Sequence, residues 1–198
     1  MKLVLATNNI HKIREITEIL SRLKVEIVTK DAYPDFPDVE ETGATLEENA
    51  ALKAAAIFDF TGLPSLADDS GLEVDAIGGE PGVNSARYAG PGCTFADNNR
   101  KLLSALEGIP DEKRSARFRC VIALCFGKND LRFAEGRVNG RITTEIRGKQ
   151  GFGYDPVFEI PHLGKTFAEM PAEVKNSMSH RGKAVEKARR IIEDYLNK

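Results

Sequence analysis

Two pairs of adjacent acids stand out in the chain. Asp68-Asp69 closes a short apolar run that begins at Ser65 and is followed by Ser70-Gly71; Glu40-Glu41 closes an acidic loop. In extended backbone, neighbouring side chains point to opposite sides, so at most one acid of each pair faces a common site. Carboxylates that converge from separate segments suit magnesium, which takes a few oxygen ligands and keeps several waters. One carboxylate can also accept the proton of an attacking water. The bland alternative is a set of caps and solvated loop acids, the commoner fate of any single Asp or Glu.

A phosphate would need positive charge and donors near those acids. The first apolar run, residues 2–6, leads into Thr7-Asn8-Asn9-Ile10-His11-Lys12. A strand feeding a helix N-terminus offers backbone N–H groups and a favourable dipole to an anion. The Thr7 hydroxyl and the Lys12 ammonium would complete such a cradle; otherwise this is a capped turn with a surface lysine. Lys53 lies one turn after Asn49 among alanines, where a lysine most often only solubilises a helix. Two familiar phosphate patterns fail. Gly164-Lys165-Thr166 has Glu159 where a P-loop needs its first glycine. Gly151-Phe152-Gly153 has Pro156 where a dinucleotide fingerprint needs its last.

Phe152-Gly153-Tyr154-Asp155 offers aromatic faces on which a base can stack and a carboxylate for its edge. Lys175, His180 and Arg181 follow just ahead of the last helical pattern. Positive charge there is unfavourable unless an anion offsets it.

Several elements must position these residues. Residues 2–6 and 25–29 read as strands. Between them Ile13, Ile16, Leu20 and Leu23 make a helical stripe that Asn8 or Asn9 would cap, so the chain opens β-α-β. Thr45 and Glu48 form a capping box for an alanine-rich helix reaching Phe58, which Gly62 and Pro64 terminate. A short strand spans 65–68 and an irregular glycine-rich loop 78–92. A helix carries Leu102, Leu103 and Leu106, and 117–126 reads as a central strand. Residues 131–138 and 141–146 read as a hairpin turning at Asn139-Gly140. A glycine-rich loop spans 148–156. A final helix buries Ala184, Val185, Ala188, Ile191, Ile192 and Tyr195. The order predicts an α/β fold with a mixed sheet and flanking helices.

The composition agrees. In 198 residues, 41% are hydrophobic and 29% charged, and the net charge is -2. That suits one globular domain and argues against a protein that coats nucleic acid by bulk charge. Cys93, Cys120 and Cys125 are odd in number and include no C-x-x-C, so neither a disulfide framework nor a zinc site is expected. No run is long enough to span a membrane, and the expected location is cytoplasmic.

Six segments together resemble the inosine/xanthosine triphosphate pyrophosphatases, the Ham1-like family. They are Ala6–Lys12, Glu41–Gly43 through Asn49 and Lys53, Ala67–Leu72, Pro81-Gly82 with Ser85–Tyr88, Gly151–Pro156 and Ser179–Gly182. The resemblance covers nearly the whole chain, in the family's order. It implies one two-lobed domain over 1–198, with an elongated twisted mixed sheet and a nucleotide cleft between the lobes. It also implies a homodimer and conversion of ITP, dITP or XTP to the monophosphate and pyrophosphate, with Mg2+. Residue by residue, Thr7, Asn8, Asn9, Ile10, His11, Lys12 and Lys53 take the triphosphate. Glu41 and Asp69 take the metal, with Asp69 also the proton acceptor. Ser70 contacts substrate, and Phe152, Gly153, Tyr154, Asp155, Lys175, His180 and Arg181 take the base. Asn8 stands where many relatives carry glycine; asparagine tolerates a left-handed backbone better than most residues. A Maf-like pyrophosphatase of other base specificity is one alternative, and a non-catalytic nucleotide- or RNA-binding regulator is another. The acids at 41, 68 and 69 oppose the regulator, since they repel phosphate unless a cation is present.

Overall fold

The structure is a computed structural model and describes residues 1–197. The opening β-α-β unit forms as expected. β1 (Lys2–Leu5) pairs in parallel with β2 (Glu26–Val28), and α1 (Ile10–Leu20) connects them. Asn9 is the N-cap of α1. After a loop, α2 (Leu46–Thr61) leads to β3 (Ser65–Val74), which also pairs with β1 in parallel. Gly62 ends α2 in the left-handed conformation, the usual C-terminal role of glycine.

Short β4 (Pro81–Gly82) returns antiparallel to β3. Then come α3 (Phe95–Ala105), β5 (Ser115–Gly127) and β6 (Asp130–Ile142). β7 (Phe158–Ile160), β8 (Lys165–Thr166), α4 (Ala172–Met178) and α5 (His180–Leu196) complete the chain. The strands form one eight-stranded mixed sheet in the order β2-β1-β3-β5-β6-β7-β8, with β4 beside β3. Five α-helices accompany it among the described residues.

The chain divides into two compact units. The first holds Met1–Asp69, Cys120–Gly136 and residues 180–197; the second holds Ser70–Arg119 and Arg137–Ser179. Each has its own core. In the first, Leu3, Leu5, Ile16, Leu20, Leu66, Ile122 and Leu124 pack with Ala184, Val185, Ala188 and Ile192 of α5. In the second, Phe118, Phe158 and Phe167 pack with Leu72, Leu102, Leu106 and Val157.

Four local expectations change. Asn139-Gly140 is not a turn: β6 runs straight through it, and the turn lies at Lys128-Asn129. Gly140 is needed for close packing instead. A Cβ there would lie 2.4 Å from the Glu159 carbonyl oxygen, on the antiparallel partner strand β7. Residues 143–146 therefore leave the sheet rather than forming a second arm. β3 is ten residues long rather than ending at Asp68, so both acids sit inside a strand. The capping box is half made. Thr45 accepts the Glu48 N–H, while Glu48 reaches back to Ala44 N–H, one residue further upstream. Finally, Lys175 lies on its own short helix, α4.

Candidate active site

The turn after β1 is closed upon itself. Thr7 Oγ1 accepts the Asn9 N–H at 3.2 Å, and Asn9 Oδ1 accepts those of His11 and Lys12 at 3.0 and 3.4 Å. Asn8 makes no use of a left-handed backbone, since every positive φ among the described residues belongs to glycine. Asn8, Ile10 and His11 are exposed, while Thr7, Asn9 and Lys12 are partly buried. Helical spacing on α1 puts Glu15 three residues after Lys12, on the same side.

Alternation along β3 sends its two acids to different partners. Asp68 is fully buried, and its Oδ2 meets Lys12 Nζ at 3.2 Å and Arg181 Nε at 3.1 Å. Burial works to raise the Asp68 carboxyl, but Lys12, Arg181 and Lys53 outweigh it and hold the group well below the usual carboxylate range. Arg181 is also buried, and it donates from Nη1 to Glu15 at 2.6 Å. Burial opposes its charge; Asp68 and Glu15 more than restore it, so the guanidinium is held strongly protonated. Those two carboxylates are the offsetting anions that a positive charge at the start of α5 requires.

Asp69 faces α2. Its Oδ1 lies 3.6 Å from Lys53 Nζ, and its Oδ2 accepts from Asn49 Nδ2 at 3.3 Å. Lys53 Nζ also meets Glu41 Oε1 at 2.5 Å and donates to the Asp68 carbonyl at 2.9 Å. Asn49 and Lys53 are four apart on one face of α2. Asn49 Oδ1 further holds Gly43 N–H at 2.8 Å, two residues from Glu41. Burial pushes the Asp69 carboxyl up; Lys53 opposes this and Glu41 adds to it. Burial likewise disfavours the Lys53 ammonium, but Asp69, Asp68 and Glu41 together raise it.

The first unit therefore gathers Lys12, Lys53 and Arg181 against Glu15, Glu41, Asp68 and Asp69, three cations against four carboxylates. The negative excess lies on the Glu41–Asp69 side, where two carboxylates already converge on one ammonium. Among the described residues no group of three or more Asp, Glu, His or Cys could cage a metal. A pair of carboxylates from separate segments fits magnesium, which binds through one or two carboxylates and fills its other positions with waters and phosphate oxygens.

The remaining predicted residues group in the second unit, apart from His180, which is buried at the start of α5 in the first. Ser70 follows Asp69 on β3 and is partly buried. Asp155 Oδ2 accepts the Phe152 N–H at 2.8 Å and Lys175 Nζ at 2.7 Å, and both charged residues are buried. Lys175 Nζ also lies over the Phe152 ring, 4.8 Å from its centre. Gly151 has φ 74°, and a Cβ there would come within 2.1 Å of Asp155 Oδ2, so only glycine lets the loop fold over that carboxylate. Tyr154 is buried and donates its hydroxyl to the Ser85 carbonyl at 2.9 Å.

Sequence reasoning missed Glu15 and Asn49 as members of the charged cluster. The available signal was helical spacing: Glu15 from Lys12, and Asn49 from Lys53.

The fold and the cluster define the class, a mixed α/β protein whose first unit sets buried carboxylates against two lysines and an arginine. Comparison with known proteins narrows that class. A sequence model of the Ham1 family matches residues 3–191. The dITP/XTP pyrophosphatase of Desulforamulus reducens is 52% identical over 97% of this chain and 96% of its own. That of Geobacter sulfurreducens is 49% identical over 98% and 96%. The solved structure of a HAM1 protein from Coxiella burnetii superposes with a TM-score of 0.90 at 43% identity, covering 98% of this chain and 99% of the other. This chain belongs to the Ham1 family.

Proposed function

We propose that this protein hydrolyses non-canonical purine nucleoside triphosphates, dITP and XTP among them, to the nucleoside monophosphate and pyrophosphate. Two full-length relatives at about half identity, both dITP/XTP pyrophosphatases, support the reaction. One structural observation carries its chemistry: Glu41 and Asp69, from separate segments, converge on Lys53.

In this reading Asp69 orients the attacking water and accepts its proton. Burial favours that role by making the carboxyl a better base than an exposed aspartate. Asn49 fixes the other Asp69 oxygen, so the base cannot turn away. Lys12 and Lys53 offset the charge that develops on the leaving pyrophosphate, and residues 7–12 bind the rest of the triphosphate. Asp68 takes no proton. Held ionised by three cations, it fixes where Lys12 and Arg181 lie. Glu41 and Asp69 would hold Mg2+, which when bound screens phosphate charge and lowers the pKa of a coordinated water.

Ser70, Phe152, Gly153, Tyr154, Asp155 and Lys175 are the substrate contacts proposed for the second unit, with His180 and Arg181 as further donors. A 6-oxo purine presents an acceptor to these donors. Adenine places an amino group there and leaves a donor unmatched, at about 1–3 kcal/mol. A homodimer and a cytoplasmic location complete the proposal; light scattering and fractionation test them. No helix among the described residues is long and apolar enough to cross a membrane.

The test is a nucleotide panel with Mg2+, reading pyrophosphate. Faster release from dITP and XTP than from dATP and dGTP is expected. Equal turnover of all four would remove the base preference, and no Mg2+-dependent release at all would remove the activity.

A further inference from the structure

Helix α3 carries two consecutive buried asparagines, and each reaches away from the helix to a different segment of the second unit. Asn98 Oδ1 accepts the Ala89 N–H at 2.7 Å and the Cys93 thiol at 3.2 Å, and its Nδ2 donates to the Ala86 carbonyl at 3.1 Å. It thereby fixes the shape of residues 85–93. Asn99 Nδ2 donates to two carbonyls, Phe95 one turn earlier and Gly153, each at 2.8 Å. Its Oδ1 is buried and has no hydrogen-bond partner. Asparagine is a poor residue for a helix interior, and a buried carbonyl without a donor is a further cost. Within α3 the bond to the Phe95 carbonyl offsets part of this; the bond to Gly153 is the one that reaches beyond the helix.

Gly153 lies between Phe152 and Tyr154, with φ 62°, and Gly151 is left-handed as well. Such a backbone has many alternatives open to it. Three ties select one. Asp155 holds Phe152 N–H, and Tyr154 holds the Ser85 segment that Asn98 shapes. Asn99 holds the carbonyl at the loop's centre. The Phe95 ring, from the same helix, packs against Phe152 with centres 6.0 Å apart.

We propose that Asn99 is a positioning residue for base selection: by anchoring the Gly153 carbonyl to α3 it fixes the plane that Phe152 offers to the base. This rests on the proposed role of residues 152–155 in binding the base. Among the described residues Asn99 Nδ2 bonds to the Phe95 and Gly153 carbonyls, both in the second unit, so its loss should spare the chemical step.

The experiment compares Asn99→Ala, Asn99→Asp and Phe152→Ala, with thermal melting run on each. Asn99→Asp keeps the side-chain shape and replaces the donor with an oxygen facing the Gly153 carbonyl. Both Asn99 variants are expected to raise KM for dITP about tenfold, to narrow the dITP-over-dATP preference in kcat/KM by a similar factor, and to leave kcat within about twofold. Folded Asn99 variants with the original KM and preference, beside a Phe152→Ala that raises KM, would overturn the positioning role alone. An unchanged KM in Phe152→Ala would overturn the base-binding role beneath it. Failure of both Asn99 variants to fold would make the residue a structural one and equally overturn the inference.

Discussion

Asp68 and Asp69 sit within a ten-residue strand, with lysines delivered by α1 and α2 and an arginine by α5. Phe152–Asp155 sit in a loop in which Gly151 and Gly153 are left-handed, tied down by hydrogen bonds at the Gly153 and Ser85 carbonyls and by the Lys175–Asp155 ion pair. The first region fixes charge on rigid elements. The second fixes the shape of a flexible backbone. The difference follows from what each is proposed to recognise. Every nucleoside triphosphate carries the same phosphates, so the machinery for cleaving them can be a dense set of charges indifferent to the base. Purines differ by single exocyclic groups, so telling them apart depends on where an aromatic face and a few donors are held.

Mutations should separate the two regions. Asp69→Asn keeps the shape and removes the proposed proton acceptor. It should lower kcat about 10³-fold with little change in melting temperature; steady-state pyrophosphate release checks it, and near-normal kcat would assign the base elsewhere. Asp68→Asn should act mainly on stability. It leaves buried Arg181 and partly buried Lys12 without their shared anion, at about 3 kcal/mol or more, measured by urea unfolding. Arg181→Met in the same background should add less than it costs alone, because the two residues share one network. Phe152→Ala should be mildest, raising KM for dITP about tenfold through lost stacking, with kcat and stability close to normal. Equal loss of kcat from Phe152→Ala and Asp69→Asn would erase the division between the regions.

Much of this was legible in the chain. The β-α-β opening follows from the apolar stripe of α1 and the Asn9 cap, and the final helix from its 3.6-residue period. The split of Asp68 from Asp69 follows from strand alternation. Other features were illegible for physical reasons. Gly140 carries a strong turn signal, yet it serves the close approach of β7, which only the paired strand reveals. β4 and β8 are two residues each and β7 three, too short to show a period. The resemblance implies Arg181 as one of several donors to the base, and no local pattern adds its ion pairs. Its burial against Asp68 and Glu15 depends on contacts 113 and 166 residues away in sequence, beyond any local pattern. The positive charge opening α5 did signal that an anion was needed, but not which one.

The charged cluster is proposed to direct water to the α-phosphorus, which leaves the monophosphate and pyrophosphate. Hydrolysis of dITP in ¹⁸O-labelled water, with the products separated and weighed by mass spectrometry, tests it most directly. Label in the nucleoside monophosphate and none in pyrophosphate is the expected result. Label in pyrophosphate, or release of orthophosphate as the first product, would contradict it.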